Sequence, residues 1–313
     1  MKKKAFAVLT ATLIATGAFG CTDSNGVKDN SKTSVTEPEQ TKTTAAVDLT
    51  KANSVKAAGL YDDVESKIYN ILNDGSEYAV YLAYPQQTDE VYIYNSQKWR
   101  SASMIKVFIL ATAMEKAKNG ELSLDETMTL QYYDKVGGAG ILGGYANGSQ
   151  LSLREILRLM IIHSDNTATN MAINRLGMDS INDYIVRNGY NDTILQRKMM
   201  DMDAIYAGRE NYTSAKDLGD FFLKLYKHEC IDYDYDEIML EFLKDQTDTE
   251  CLNTALPDKV IAHKTGALAG LFDEGGIIYN GDNDTILVMM TENYTGEKTV
   301  ISRMKQFARA VVY

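Results

Sequence analysis

Apolar and polar positions divide the chain into three regions. Lys2, Lys3 and Lys4 precede an apolar run from Ala5 to Phe19, which ends at Gly20-Cys21. From Thr22 to about Lys56 the chain is rich in Thr, Ser, Lys, Asn and Asp and poor in apolar residues. Beyond that, regular periodicities begin. Leu60, Val64, Ile68, Ile71 and Leu72 recur at helical spacing, which predicts an amphipathic helix. "EYAVYLAY" (77–84) and "EVYIYN" (90–95) alternate and are rich in Tyr and Val, so they read as a strand pair. "RSASMIKVFI" (100–109) then opens a helix. Leu151–Ile162 and Thr167–Leu176 are helical runs interrupted by Ser164-Asp165-Asn166. "SAKDLGDFFLKLYKH" after Thr213 and the stretch Tyr235–Asp245 continue the helical block. Near the end, "KVIAHKTGA", "EGGIIYN" and "TILVMMTE" carry the β-branched content of strands, and "EKTVISRMKQFARAVVY" closes as an amphipathic helix. Strands lie at both ends of this region and helices between. The pattern predicts an α/β (α+β) domain, with one antiparallel sheet built from both ends, helices covering a face of it, and a mostly helical second lobe.

The first two regions call for a different reading. A basic head, a short apolar body and a small residue before the cut describe a signal peptide over 1–20. The run is short for a membrane span, which needs roughly 20 apolar residues. Cys21 directly after the cut points to a lipoprotein, although Phe19 makes the site imperfect. Residues 21–57 cannot bury a core and read as a disordered polar tether, leaving 58–313 as the folded domain. The expected location is outside the cytoplasm, anchored by lipid to the outer face of a bacterial membrane, with secretion as the alternative.

Charge and cysteine content add exclusions. The net charge is −11, which argues against nucleic acid as a partner. Cys230 and Cys251 are too few for a disulfide scaffold, and whether they pair is open. No group of Cys and His has metal-ligand spacing, so neither metal nor cofactor is expected. His163, His228 and His263 are scattered and give no support to a Ser–His–Asp triad. "GGAGILGGYANG" (137–148) lacks the lysine of a phosphate loop. Nothing suggests assembly beyond a monomer.

Ser103 and Lys106, three residues apart, fall on one helix face. Alone, they could be a helix cap and a surface lysine. Two further polar islands change the weight: Ser164-Asp165-Asn166 and Lys264-Thr265-Gly266. In this order the three match the set known from penicillin-recognising serine enzymes. The chain from about residue 58 to 313 resembles the class A β-lactamase family and its penicillin-binding relatives, and "SDNTATNMAINRLG", "ENYTSAKDLGDFFLKLY" and "ALPDKVIAHKTG" extend the likeness. The resemblance implies a serine acyl-enzyme hydrolase acting on β-lactams, cell-wall D-Ala-D-Ala peptides, or both. It implies Ser103 as nucleophile, Lys106 as its base, Lys264 as a second cation lowering the Lys106 pKa, and Ser164 as a bridge between the lysines. Asn166 would hold a substrate amide oxygen and Thr265 a substrate carboxylate. Gly266 would let a strand approach the substrate, and the N–H groups of Ser103 and Ala267 would form an oxyanion hole.

The likeness breaks where class A enzymes release their acyl group. Their loop reads Arg-x-Glu-x-x-x-Asn; here it reads "RKMMDMD", with Met199 at the Glu position and Asp203 at the Asn position. A thioether cannot take a proton from water; Asp201 and Asp203 are the nearby acids. The loop's Arg197 faces Asn211 where an acid is expected, and Thr285 aligns where the family has a carboxylate-binding Arg. Slow deacylation is therefore expected, closer to a penicillin-binding or D-Ala-D-Ala peptidase relative. The alternatives are a proficient β-lactamase using another base, and a catalytically silent wall-binding lipoprotein.

Overall fold

A computed structural model describes residues 52–54, 59–294 and 296–313. The expected signal peptide, Cys21 and most of the tether lie outside the described residues. In chain order the elements are β1 (Ala52–Ser54), α1 (Val64–Ile71), β2 (Glu77–Ala83), β3 (Val91–Tyr94), β4 (Trp99–Arg100) and, after a 3₁₀ segment at Ala102–Ile105, α2 (Lys106–Lys118). Then come β5 (Thr127–Thr129), β6 (Gln150–Ser152), α3 (Leu153–Ile162), α4 (Asn166–Leu176), α5 (Met178–Arg187), α6 (Met202–Tyr206) and β7 (Tyr212–Thr213). The chain finishes with α7 (Ala215–Tyr226), α8 (Tyr233–Lys244), α9 (Leu252–Ala255), β8 (Val260–Leu268), β9 (Leu271–Tyr279), β10 (Thr285–Glu292) and α10 (Glu297–Val312).

One antiparallel sheet, in the order β1-β3-β2-β10-β9-β8, joins strands from both ends of the chain. Its central strands are apolar at consecutive positions because both faces are covered. In β2, Val80 and Leu82 face a cluster with Ile68, Met304 and Phe307 from α1 and α10. Ala79, Tyr81 and Ala83 face the helical lobe instead. The sequence pattern predicts cover on one face; the terminal helices supply it on the other. In α2 every residue from Lys106 to Met114 is buried, as expected of a central helix apolar on all sides.

The tether boundary at residue 57 needs correction. Ala52–Ser54 pairs antiparallel with Tyr92–Tyr94, so the sheet begins inside the stretch read as disordered. Pairing at a sheet edge uses main-chain groups and needs no apolar pattern, so composition did not mark it. Cys230 and Cys251 are both free thiols, and they belong to opposite faces of the sheet.

Candidate active site

The three polar islands converge. Ser103 lies in the 3₁₀ segment leading into α2, and Lys106 is the first residue of the helix. Its Nζ is 3.0 Å from Ser103 Oγ and 3.1 Å from Ser164 Oγ. The same amine donates to the Ser164 carbonyl at 2.5 Å and to Asn166 Oδ1 at 3.1 Å. From β8, Lys264 Nζ reaches Ser164 Oγ at 3.0 Å and donates to the Thr265 carbonyl at 2.7 Å. Ser164 therefore stands between the two amines.

Local backbone geometry explains this convergence. Ala102 has φ of 41° and Ser164 φ of 50°, a left-handed region that costs a non-glycine residue on the order of 1–3 kcal/mol. These bends turn Ser103 and Ser164 toward the lysines. Asp165 caps α4: its Oδ1 accepts from Ala168 N at 2.8 Å. Its Oδ2 accepts from the N–H groups of Ile141 and Leu142 at 2.6 and 2.7 Å. The glycine-rich stretch 137–148 thus packs on the Ser164–Asn166 turn, and Asn166 Nδ2 donates to Gly137 O at 3.1 Å. A Cβ on Gly140 would sit 2.3 Å from Asp165 Oδ2. Reading that stretch only as a failed nucleotide loop missed its role as a wall of the site; its glycine density was the available signal.

Gly266 serves a closer approach than expected. A Cβ there would lie 3.2 Å from Ser103 N and 3.1 Å from Met104 Cγ, so its bareness lets β8 come up against the nucleophile's own backbone. Ala267, the next residue, lines a cavity of about 370 Å³ together with Ser103 and Asn166.

Burial sets the electrostatics. Lys106 is fully buried, and this, with the charge of Lys264, holds its pKa well below the usual lysine range. Burial also lowers Lys264, to about 7, against the opposing pull of Asp248 and Glu274.

The stretch between α5 and β7 lines the same cavity with Met199, Met200, Met202 and Ile205, and with Arg197 as the one charged side chain among them. Met199 is buried, and its main chain is gripped by Asn170, which accepts from Met199 N at 2.8 Å and donates to Met199 O at 3.0 Å. Asp203 is exposed on α6, and Asp201 caps that helix by accepting from Ala204 N at 2.9 Å. Neither lines the cavity.

Three expectations need correction. Arg197 is not without an acid: it pairs with Glu210, Nη2 to Oε1 at 2.6 Å. The partner is one residue earlier than expected. Asn211 serves the loop's main chain instead, accepting from Gln196 N and Arg197 N at 2.8 and 3.0 Å. Thr285 does not stand beside Lys264. It opens β10 opposite Ile278, which faces Ile261 on β8; opposite Thr265 and Gly266 stand Glu274 and Asp273. Finally, the Thr265 hydroxyl is not free for a substrate carboxylate. It donates to Asp248 Oδ2 at 2.8 Å, because a hydroxyl has one proton and a carboxylate lies in reach. No sequence motif marked Asp248 or Glu210. His263 is fully buried 2.6 Å from Glu274, and His163 contacts Thr247 at 3.1 Å; neither reaches the serines' hydrogen-bond partners given above. Among the described residues no group of acids, His and Cys could hold a metal ion.

Comparison with solved structures agrees with the fold. A β-lactamase from Sphaerobacter thermophilus DSM 20745 is 24% identical, with a TM-score of 0.73 over 80% of this chain and 95% of that one. PBP-A is 25% identical, with a TM-score of 0.69 over 76% and 89%, and a point mutant of PBP-A was solved as an acyl-enzyme complex with penicillin G. The extended-spectrum β-lactamase TLA-1 is 18% identical, with a TM-score of 0.74 over 81% and 98%. No curated protein matches. The model of the Beta-lactamase enzyme family matches residues 63–313, and the chain belongs to that family as a serine hydrolase of the β-lactamase type.

Proposed function

We propose that the protein forms an acyl-enzyme at Ser103 with β-lactams and with the D-Ala-D-Ala class of cell-wall peptide that β-lactams mimic, and releases it slowly. The observation that carries this reading is the arrangement of oxygens around Lys106. The Ser164 carbonyl and Asn166 Oδ1 can only accept, so they take the two hydrogens of a neutral amine. Its lone pair is left to the hydroxyls of Ser103 and Ser164, at 3.0 and 3.1 Å. Lys106 then takes the Ser103 proton as Oγ attacks the substrate carbonyl carbon. The N–H groups of Ser103 and Ala267 receive the oxyanion, and Ser164 passes a proton to the departing nitrogen. Release is slow because the residues that Met199 brings to the cavity with it are Arg197, Met200, Met202 and Ile205, and none of these side chains accepts a proton from water. In the same reading Cys21 carries a lipid that holds the enzyme, as a monomer, on the outer face of the membrane.

A time course with a fluorescent penicillin tests the proposal. Labelling that persists after excess reagent is removed is the expected result. Fast turnover would favour a proficient β-lactamase, and no labelling would favour a silent wall-binding protein.

A further inference from the structure

Asp248 occupies a place that the acyl-transfer chemistry leaves unexplained. It lies in the segment after α8, and that segment is tied to the end of α3. Gln246 Nε2 donates to Ile161 O at 2.9 Å, and Thr247 N donates to Ile162 O at 3.0 Å. The backbone N–H of Asp248 itself donates to Gln246 Oε1 at 3.1 Å. Its carboxylate is thereby held against β8, taking the Thr265 proton through Oδ2 and a longer, 3.3 Å hydrogen bond from Glu250 N through Oδ1. No ion pair to a Lys or Arg neutralises it among the described residues.

The strand alongside adds no cation. Glu274 stands opposite Thr265 and Asp273 opposite Gly266. Arg100, which donates to Ala269 O at the end of the β8–β9 hairpin, is ion-paired with Glu292. A substrate laid along β8 with its scissile carbonyl at Ser103 has its leaving group on the side of Lys264 and Thr265. There it meets a fixed carboxylate, a hydroxyl whose proton is already committed, and the amine of Lys264, whose pKa burial lowers to about 7 and which already feels the charge of Asp248.

We propose that Asp248 is a specificity-determining residue that discriminates against a carboxylate on the leaving group and selects one ending in an amide or an amine. This rests on acylation at Ser103 as described above. The chemistry is otherwise unchanged: the Ser103 Oγ–C bond forms, the substrate C–N bond breaks, and the nitrogen leaves with the proton relayed through Ser164. An anion held close to Asp248 is repelled. In surroundings of intermediate dielectric such repulsion corresponds to a rate difference on the order of 10- to 100-fold. Cell-wall peptides joined to a further amine then fit the site better than peptides with a free D-alanine carboxylate. Penicillins, which carry a carboxylate beside the ring nitrogen, acylate more slowly than the intact serine–lysine geometry allows.

The test uses the full chain and two peptides sharing one acyl part, N-acyl-D-Ala-D-Ala and its C-terminal amide, with acylation of Ser103 and release of product followed by mass spectrometry. The amide is expected to react at least about 10-fold faster. Asp248→Asn, and independently Asp248→Ser, should collapse that ratio and speed labelling by penicillin. A merely structural role would change both peptides equally and leave the ratio intact, which overturns the proposal. Equal or faster reaction of the free acid in the wild type overturns it as well, while leaving acylation at Ser103 standing. If neither peptide nor penicillin modifies Ser103, the acyl-enzyme reading fails and this proposal falls with it.

Discussion

The side-chain amide of Asn170 holds both main-chain groups of Met199, N–H at 2.8 Å and carbonyl at 3.0 Å. The backbone at this position is fixed by Asn170 and does not depend on what the Met199 side chain does. A carboxylate placed there would project into the same cavity, beside Ser103. Met199→Glu should therefore shorten the life of the acyl-enzyme without slowing its formation. General-base help is worth about 10²–10⁴-fold, so the change is easily read as decay of a labelled protein after stopped-flow acylation. Rapid wild-type decay, matching that of the substituted protein, would sink the idea that the site lacks a base. Asp203 needs no matching change, since it is exposed on α6.

Peptide mapping after penicillin treatment should place the adduct on the segment containing Ser103, and Ser103→Ala should abolish it. Lys106→Met keeps the length of the buried stem and removes only the amine, and it should slow acylation by about 10²–10⁴-fold. An adduct on Ser101 or Ser164 in the wild type would contradict this assignment.

Lys264 should make the fold less stable in a pH-dependent way. Its pKa is lowered from 10.5 to about 7 on folding, chiefly by burial. Below pH 7 both folded and unfolded chains hold the proton, and the full penalty of a buried charge is present. Between 7 and 10.5 the unfolded chain binds more protons than the folded one, so stability from this group rises with pH. Lys264→Met should accordingly stabilise the protein at pH 6 by a few kcal/mol, since each tenfold loss of proton affinity on folding corresponds to about 1.4 kcal/mol. The gain should shrink by pH 9.5 while activity is lost. Urea denaturation at the two pH values checks it; a gain that grows with pH would refute the account.

The Arg197–Glu210 pair should hold the methionine wall in place. Breaking a fully buried pair costs about 3–5 kcal/mol, and Glu210 keeps some solvent contact, so Arg197→Ala should cost roughly half that. Arg197→Ala with Glu210→Gln should recover part of the loss, because no half-buried carboxylate is then left alone. A double variant as unstable as the single one would show that packing of the Arg197 stem matters more than its charge.

The legible parts of this molecule were those written in local pattern. Helix periodicity marked α3, α4 and α7, and the spacing from Ser103 to Lys106 already placed hydroxyl and amine on one face. What escaped depended on distant segments or on one-residue register. Glu210, not Asn211, meets Arg197, and a motif shifted by one position cannot be told from a lost one by spacing alone. Asp248 belongs to no motif, since its importance comes from the loop that ties it to α3 and so to β8. The glycines at 138 and 140 were visible as composition, but the turn they accommodate lies on another segment. Ala52–Ser54 joined the sheet through main-chain pairing, which leaves no trace in hydropathy.

The pairing of β2 with β10 has a consequence for how the chain is made. Ala83 is registered with Ile286 and Glu77 with Glu292, so the middle of the sheet joins an early strand to the last one. Lys264 and Ser164 are also brought together across 100 residues. Such distant contacts must wait for the loop between them to close, which slows folding. On a growing chain the sheet cannot close until β10 has emerged, and the lysines cannot meet across Ser164 until β8 has. An immature chain therefore carries Ser103 without its chemistry, and a truncation that removes β10 and α10 should leave a protein that neither folds nor reacts.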